Sequence, residues 1–81
     1  MEKVTLSESQ PGKTYFIREI KDETRLTNRL SSMGLIPGSQ IEVCQNHKKQ
    51  PVLIFARDTL IAIDRGESKK IIVGGGENEE V

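Results

Sequence analysis

Cys44 and His47 stand three residues apart and are the single cysteine and the single histidine of the chain. A thiol and an imidazole are the side chains of a soft-metal site or of a nucleophile and its base. Two ligands do not make a site, because structural zinc takes four, catalytic zinc three, and Fe(II) calls for carboxylates or further histidines. The local pattern puts Cys44 in a strand and His47 at its end, so the pair reads as a strand thiol and a loop histidine that bind metal weakly at best. No Gly-x-Ser-x-Gly or similar context surrounds either residue, so no catalytic residue, enzymatic activity or cofactor is expected. The run Gly74-Gly75-Gly76 could pass for a phosphate loop, but such loops lead into a helix with Lys-Ser/Thr, and here acidic residues follow. A third grouping, Arg25, Arg29 and Ser32, falls at i, i+4 and i+7 and would form a stripe along a helix.

These residues belong to one small domain. A chain of 81 residues buries only about 60% of its unfolded surface, which leaves little room for a deep cavity. Apolar residues make up 35% of it, and by type half of them are Ile or Val, a bias toward strands. Twelve basic and twelve acidic residues balance, which argues against a protein that coats nucleic acid or an anionic membrane. Met1-Glu2-Lys3-Val4-Thr5 has no apolar secretory core, and the longest apolar run, Val52 to Ala56, is far short of the roughly 20 residues that span a bilayer. A soluble, cytoplasmic protein is expected. Residues 74–81, glycines then mostly acids, read as a disordered tail, leaving residues 1–73 as a mildly basic folded domain.

Turn signals divide that domain. Gln10-Pro11-Gly12-Lys13 and Ile36-Pro37-Gly38-Ser39 each carry Pro then Gly at the centre of a type II turn. Each feeds a half-buried strand: Thr14 to Lys21, and Gln40 to Gln45 with Ile41 and Val43 inward. Pro51 to Arg57 and Thr59 to Asp64 are antiparallel neighbours, because so short a connection permits only a tight hairpin. Arg65 to Ser68 turns the chain into a last strand, Lys70 to Val73. One helix is expected at Glu23 to Met33, with Asp22 as N-cap, Gly34 as the left-handed residue that ends it, and Leu26, Leu30 and Met33 packed on the sheet. A flat sheet of this size would leave both edges bare, so about five strands with a helix after the first long one should curl into a small, partly closed, SH3-like barrel.

The stretch Arg29-Leu30-Ser31-Ser32-Met33-Gly34-Leu35-Ile36-Pro37-Gly38-Ser39-Gln40-Ile41-Glu42-Val43 resembles the R-L-x-x-[LM]-G-L-x-P-G-[ST]-x-[IV]-x-V segment of the FeoA family. Leu6 before Pro11-Gly12, Pro51-Val52, Leu60 to Ile63, and Ile71 with Val73 match its flanks, so the resemblance covers about residues 4 to 73. The chain departs from the family pattern at Lys49-Gln50, at Asp58 on the hairpin tip and at Ser68; Asp tolerates positive φ and Ser is nearly as small as the usual Ala.

The resemblance implies an accessory role in bacterial Fe(II) uptake, exerted by binding a cytosolic part of the FeoB transporter, whose soluble portion hydrolyses GTP. Arg25 and Arg29 read either as a solvated flank whose long side chains cover core edges or as the rim of a partner-facing surface with Leu35 and Ile36 as its apolar centre, and the resemblance raises the second reading. Leu30 and Met33 are then motif residues of the core, while Gly34, Pro37 and Gly38 shape the site through backbone geometry and need not touch a partner. The competing reading is a barrel with a nucleic-acid-linked or metal-dependent regulatory role. It is weakened by only three aromatic residues, Tyr15, Phe16 and Phe55, and by the lack of a helix-turn-helix pattern.

Overall fold

The computed structural model describes residues 3–21 and 24–75. In chain order its elements are strand β1 (Lys3–Thr5), a 3-10 turn (Leu6–Glu8), β2 (Thr14–Ile20), helix α1 (Thr24–Ser32), β3 (Gln40–Gln45), β4 (Val52–Ala56), β5 (Thr59–Ile63), a single helical turn α2 (Arg65–Ser68) and β6 (Ile71–Gly75). Both Pro-Gly turns are type II: Lys13 N–H donates to Gln10 C=O at 3.3 Å and Ser39 N–H to Ile36 C=O at 2.9 Å, with Gly12 and Gly38 at positive φ.

The strands form one antiparallel sheet in the order β1-β6-β2-β3-β4-β5. Register shifts between Ile17 and Glu19 and between Val43 and Gln45 bend it. It curls round a single core to which every strand from β2 to β6 contributes, including Ile17, Ile41, Val43, Ile54, Ile63 and Val73. This is the small SH3-like barrel expected, with six strands rather than five. β1, three residues long, is too short to carry an alternating pattern, and it is held only by β6. β6 also runs to Gly75, so two residues assigned to the tail pair with β2. Residues 76–81, the rest of that tail, and the N-cap and first residue expected for α1, Asp22 and Glu23, lie outside the described residues.

The end of α1 corrects two expectations. Leu26 and Leu30 are buried as foreseen, but Met33 is 37% exposed, while Leu35, expected at the surface, is 1% exposed. The cause is the way the helix stops. Gly34, at φ +85, donates to Ser31 C=O at 2.9 Å, and Leu35 N–H donates to Leu30 C=O at 2.8 Å, the paired bonds of a Schellman motif. That motif folds the residue after the glycine back onto the last helical turn, so Leu35 joins Leu30 in the core. Met33 is left facing outward.

A second tie is centred on Arg65, the first residue of α2. Arg65 donates to Ser7 C=O at 3.2 Å, to Asn46 Oδ1 at 2.8 Å, to Gln50 C=O at 2.9 Å and to His47 C=O. Asn46 donates in turn to Ser7 C=O at 3.1 Å and Ser9 C=O at 2.7 Å. One guanidinium thus joins the 3-10 turn, the β3–β4 loop and α2.

The two positive-φ glycines beside α1 make separable predictions. A Cβ on Gly38 would meet nothing within 4 Å, whereas one on Gly34 would lie 2.5 Å from Arg57 Nε. Arg57 can swing aside, so alanine at either position should cost mainly the left-handed strain of about 1–2 kcal/mol and lower Tm by roughly 4–16 °C. Only Gly34→Ala should also shift the Arg57 Nε–H resonance in an NMR spectrum. Unchanged Tm in Gly38→Ala would contradict the turn.

Candidate interaction surface

The sequence-expected surface residues divide when placed on the barrel. Arg25 and Arg29 are exposed on α1 and Ile36 is 51% exposed on the turn that follows. Leu35 is withdrawn into the core, and Met33 takes its place beside Ile36. Arg29 is not a free rim residue: its guanidinium is ion-paired with Glu67 of α2. The hydrogen bond to Glu67 first, and the nearby charges of Glu67 and Asp64 after it, raise its pKa above the ordinary arginine value. A raised arginine pKa is a contribution present at all lower pH, so Arg29 adds no pH dependence in the physiological range. Reversing Arg29 would set a carboxylate against Glu67 and Asp64, which leaves Arg25 as the cleaner probe of the flank.

What presents Ile36 is rigid. Ser39 Oγ donates to Gly34 C=O at 3.2 Å and accepts from Ile36 N–H at 3.0 Å. The same turn is fastened to β2, since Gly38 N–H donates to Ile17 C=O at 2.7 Å and Ile17 N–H to Ser39 C=O at 2.9 Å. The R-L-x-x-M-G-L-x-P-G-S stretch therefore builds a platform whose exposed apolar tips are Met33 and Ile36. An exposed branched side chain on a fixed turn has little conformational freedom left to lose on binding.

Arg57 is a surface residue that sequence reading did not place here. It and Asp58 form the β4–β5 turn with φ of +53 and +61, a type I′ geometry. Asn and Gly suit those positions; an arginine held there costs about 1 kcal/mol. Its side chain lies against Gly34, which has no Cβ to obstruct it. Hairpin tip and helix exit thus meet at one end of the barrel, beside an open cleft of about 430 Å³ lined by Gln40, Glu42, Phe55, Arg57 and Asp58 among others.

Cys44 and His47 are exposed. Cys44 is a free thiol, and the His47 backbone carbonyl is engaged by Arg65. Among the described residues no group of three or more His, Cys, Asp or Glu is placed to hold a metal ion. Anaerobic titration with Fe(II) and Zn(II) should give binding weaker than micromolar that is unchanged in a Cys44→Ser, His47→Ala double variant. Submicromolar binding lost in that variant would overturn the expectation.

The fold and this surface define a small SH3-like barrel domain whose distinguishing feature is an apolar, arginine-flanked end. Residues 4–74 match the FeoA domain family model, and the chain belongs to the FeoA family, whose members take part in ferrous-iron transport. It is 35% identical over 80 residues to the Fe(2+) transport protein A of Methanocaldococcus jannaschii, covering 94% of this chain and 96% of that one. The crystal structure of an iron uptake regulatory protein (FeoA) superposes with a TM-score of 0.83 at 32% identity, over 90% of this chain and 97% of the other. The structure of T. acidophilum IdeR superposes with a TM-score of 0.81 at 26% identity, over 93% of this chain but 35% of that protein. No helix among the described residues is long and apolar enough to cross a membrane.

Proposed function

We propose that this chain is a non-enzymatic, cytoplasmic accessory of ferrous-iron uptake that docks on a cytosolic part of an FeoB-type transporter and modulates it. The observation that carries the reading is the fixed platform at the end of α1. Ser39 and the Ile17 backbone hold the turn, and Met33 and Ile36 stand out from it exposed among the described residues. Apolar tips beside arginines are the make-up of a small interface core and rim. The alternative role in nucleic-acid-linked or metal-dependent regulation shares the barrel, but Tyr15 is buried and Phe16 half-buried, which leaves Phe55 as the one exposed ring for base stacking.

The test is capture of the transporter from native membranes, together with iron uptake in cells complemented by each variant. Ile36→Ser and Arg25→Glu should keep wild-type Tm yet weaken capture by about tenfold or more, the effect of losing an anchor worth upward of ~1.4 kcal/mol. Lys69→Glu makes the same charge change outside α1 and the turn that follows it, and should behave as wild type. Normal uptake in both helix-exit variants, or equal impairment in Lys69→Glu, would refute the proposed surface.

A further inference from the structure

The barrel has two edges, and they are treated differently. β1 is three residues long and begins with Lys3, features that blunt a strand edge. β5 is five residues, Thr-Leu-Ile-Ala-Ile, with no charge, no proline and no bulge against β4. The two-residue turn makes Ala56 and Thr59 a hydrogen-bonded pair, so alternation makes Phe55 and Leu60, and Leu53 and Ala62, non-hydrogen-bonded pairs. The N–H and C=O groups of Leu60 and Ala62 therefore point away from β4, toward the open edge. Their side chains lie on the outer face, where Leu60 is 59% exposed opposite the exposed Phe55.

We propose that the β5 edge takes up an extended segment of a partner protein as a seventh, antiparallel strand, a segment with two apolar residues on its outer face flanked by cationic ones. The strand ends select the charge. Asp58 and Asp64 bracket β5 and are exposed; neither is ion-paired among the described residues, though Asp64 accepts from Gly66 N–H at 3.1 Å as the N-cap of α2 and lies near Arg29, so Asp58 is the freer of the two. Of the neighbouring arginines, Arg57 lies across Gly34 and Arg65 is engaged with backbone carbonyls. A second copy of this chain fits badly, because antiparallel self-pairing centred on Ile61 would set Asp58 of each copy opposite Asp64 of the other. The acidic residues Glu77, Glu79 and Glu80 of its own sequence carry the wrong sign. The matching segment has the pattern cation-x-apolar-x-apolar-x-cation, in which the apolar residues sit opposite Ala62 and Leu60 and the backbone supplies most of the affinity. This inference goes beyond the helix-exit reading and does not require the partner to be the transporter.

The probe is the capped peptide acetyl-Lys-Thr-Val-Thr-Val-Thr-Lys-amide, titrated into the full chain by amide NMR, with a control in which both lysines are glutamates. The expected result is saturable shifts and slowed hydrogen exchange at Leu60 and Ala62, with Met33 and Ile36 unmoved, and at least about tenfold weaker binding of the control. Ala62→Pro removes an outward N–H without touching the β4 ladder and should abolish the effect. Leu60→Lys, which leaves the backbone intact, should weaken it even if the proline variant folds poorly. No shift at β5, equal binding of both peptides, or shifts centred on Ile36 would overturn the proposal. So would concentration-dependent dimers lost in Ala62→Pro, which would make the occupant a second copy.

Discussion

Arg65→Met should destabilise the fold by about 2–4 kcal/mol, because hydrogen bonds from a charged group are each worth about 1.5–3 kcal/mol and four contacts end on this one guanidinium. The loss is less than the sum of the bonds, since the carbonyls near the surface regain water, and since Arg65 Nε is itself buried with no partner among the described residues. For a domain of this size each kcal/mol lowers Tm by roughly 4–8 °C, so the melt should fall by about 10–30 °C. The β3–β4 loop should lose exchange protection first, because Asn46 is oriented by the same group. Arg65→Lys keeps the charge but a single ammonium cannot span the set, so it should recover less than half of the loss. A melt within 2 °C of wild type, on a scale of about 4–8 °C per kcal/mol, would show that the clamp carries no weight.

The neighbouring pair Leu35 and Ile36 gives the other large effect, and one that separates folding from binding. Leu35→Ala opens a cavity beside Leu30 and Leu26, all three buried, and should cost about 2–5 kcal/mol. Ile36→Ala removes a side chain that is half in water and should change stability by less than about 0.5 kcal/mol. Chemical denaturation measures both. The reverse order would mean that the helix does not end as described, and that the outward residue is the one first read from the motif.

That reversal shows where sequence was legible. Gln40–Gln45 is the strand expected to the residue, because strict alternation and a Pro-Gly turn bound it on one side. Both type II turns followed from residues whose φ preferences are local, and the β4–β5 hairpin from the shortness of its connection. Met33 and Leu35 were exchanged because the 3.6-residue period was carried past the residue at which the helix stops. The glycine itself held the missing signal, since a Schellman ending folds its following apolar residue inward. The seat of Arg57 on Gly34, the ion pair of Arg29 with Glu67 and the Arg65 clamp join residues far apart in sequence. Each depends on where two turns happen to meet, and no local pattern encodes that.

The pairing of β1 with β6 has a consequence for how such a barrel combines with other proteins. Lys3 lies opposite Gly74 on adjacent strands, so the described chain enters and leaves at one spot, with backbones about 5 Å apart. A polypeptide interrupted at that point hardly needs to open to admit the whole unit, and the cost of bridging so short a gap is small. The barrel is thus built like a cassette: spliced into a surface loop of a host protein, it would keep its own core while leaving the host's two flanking residues nearly where they were.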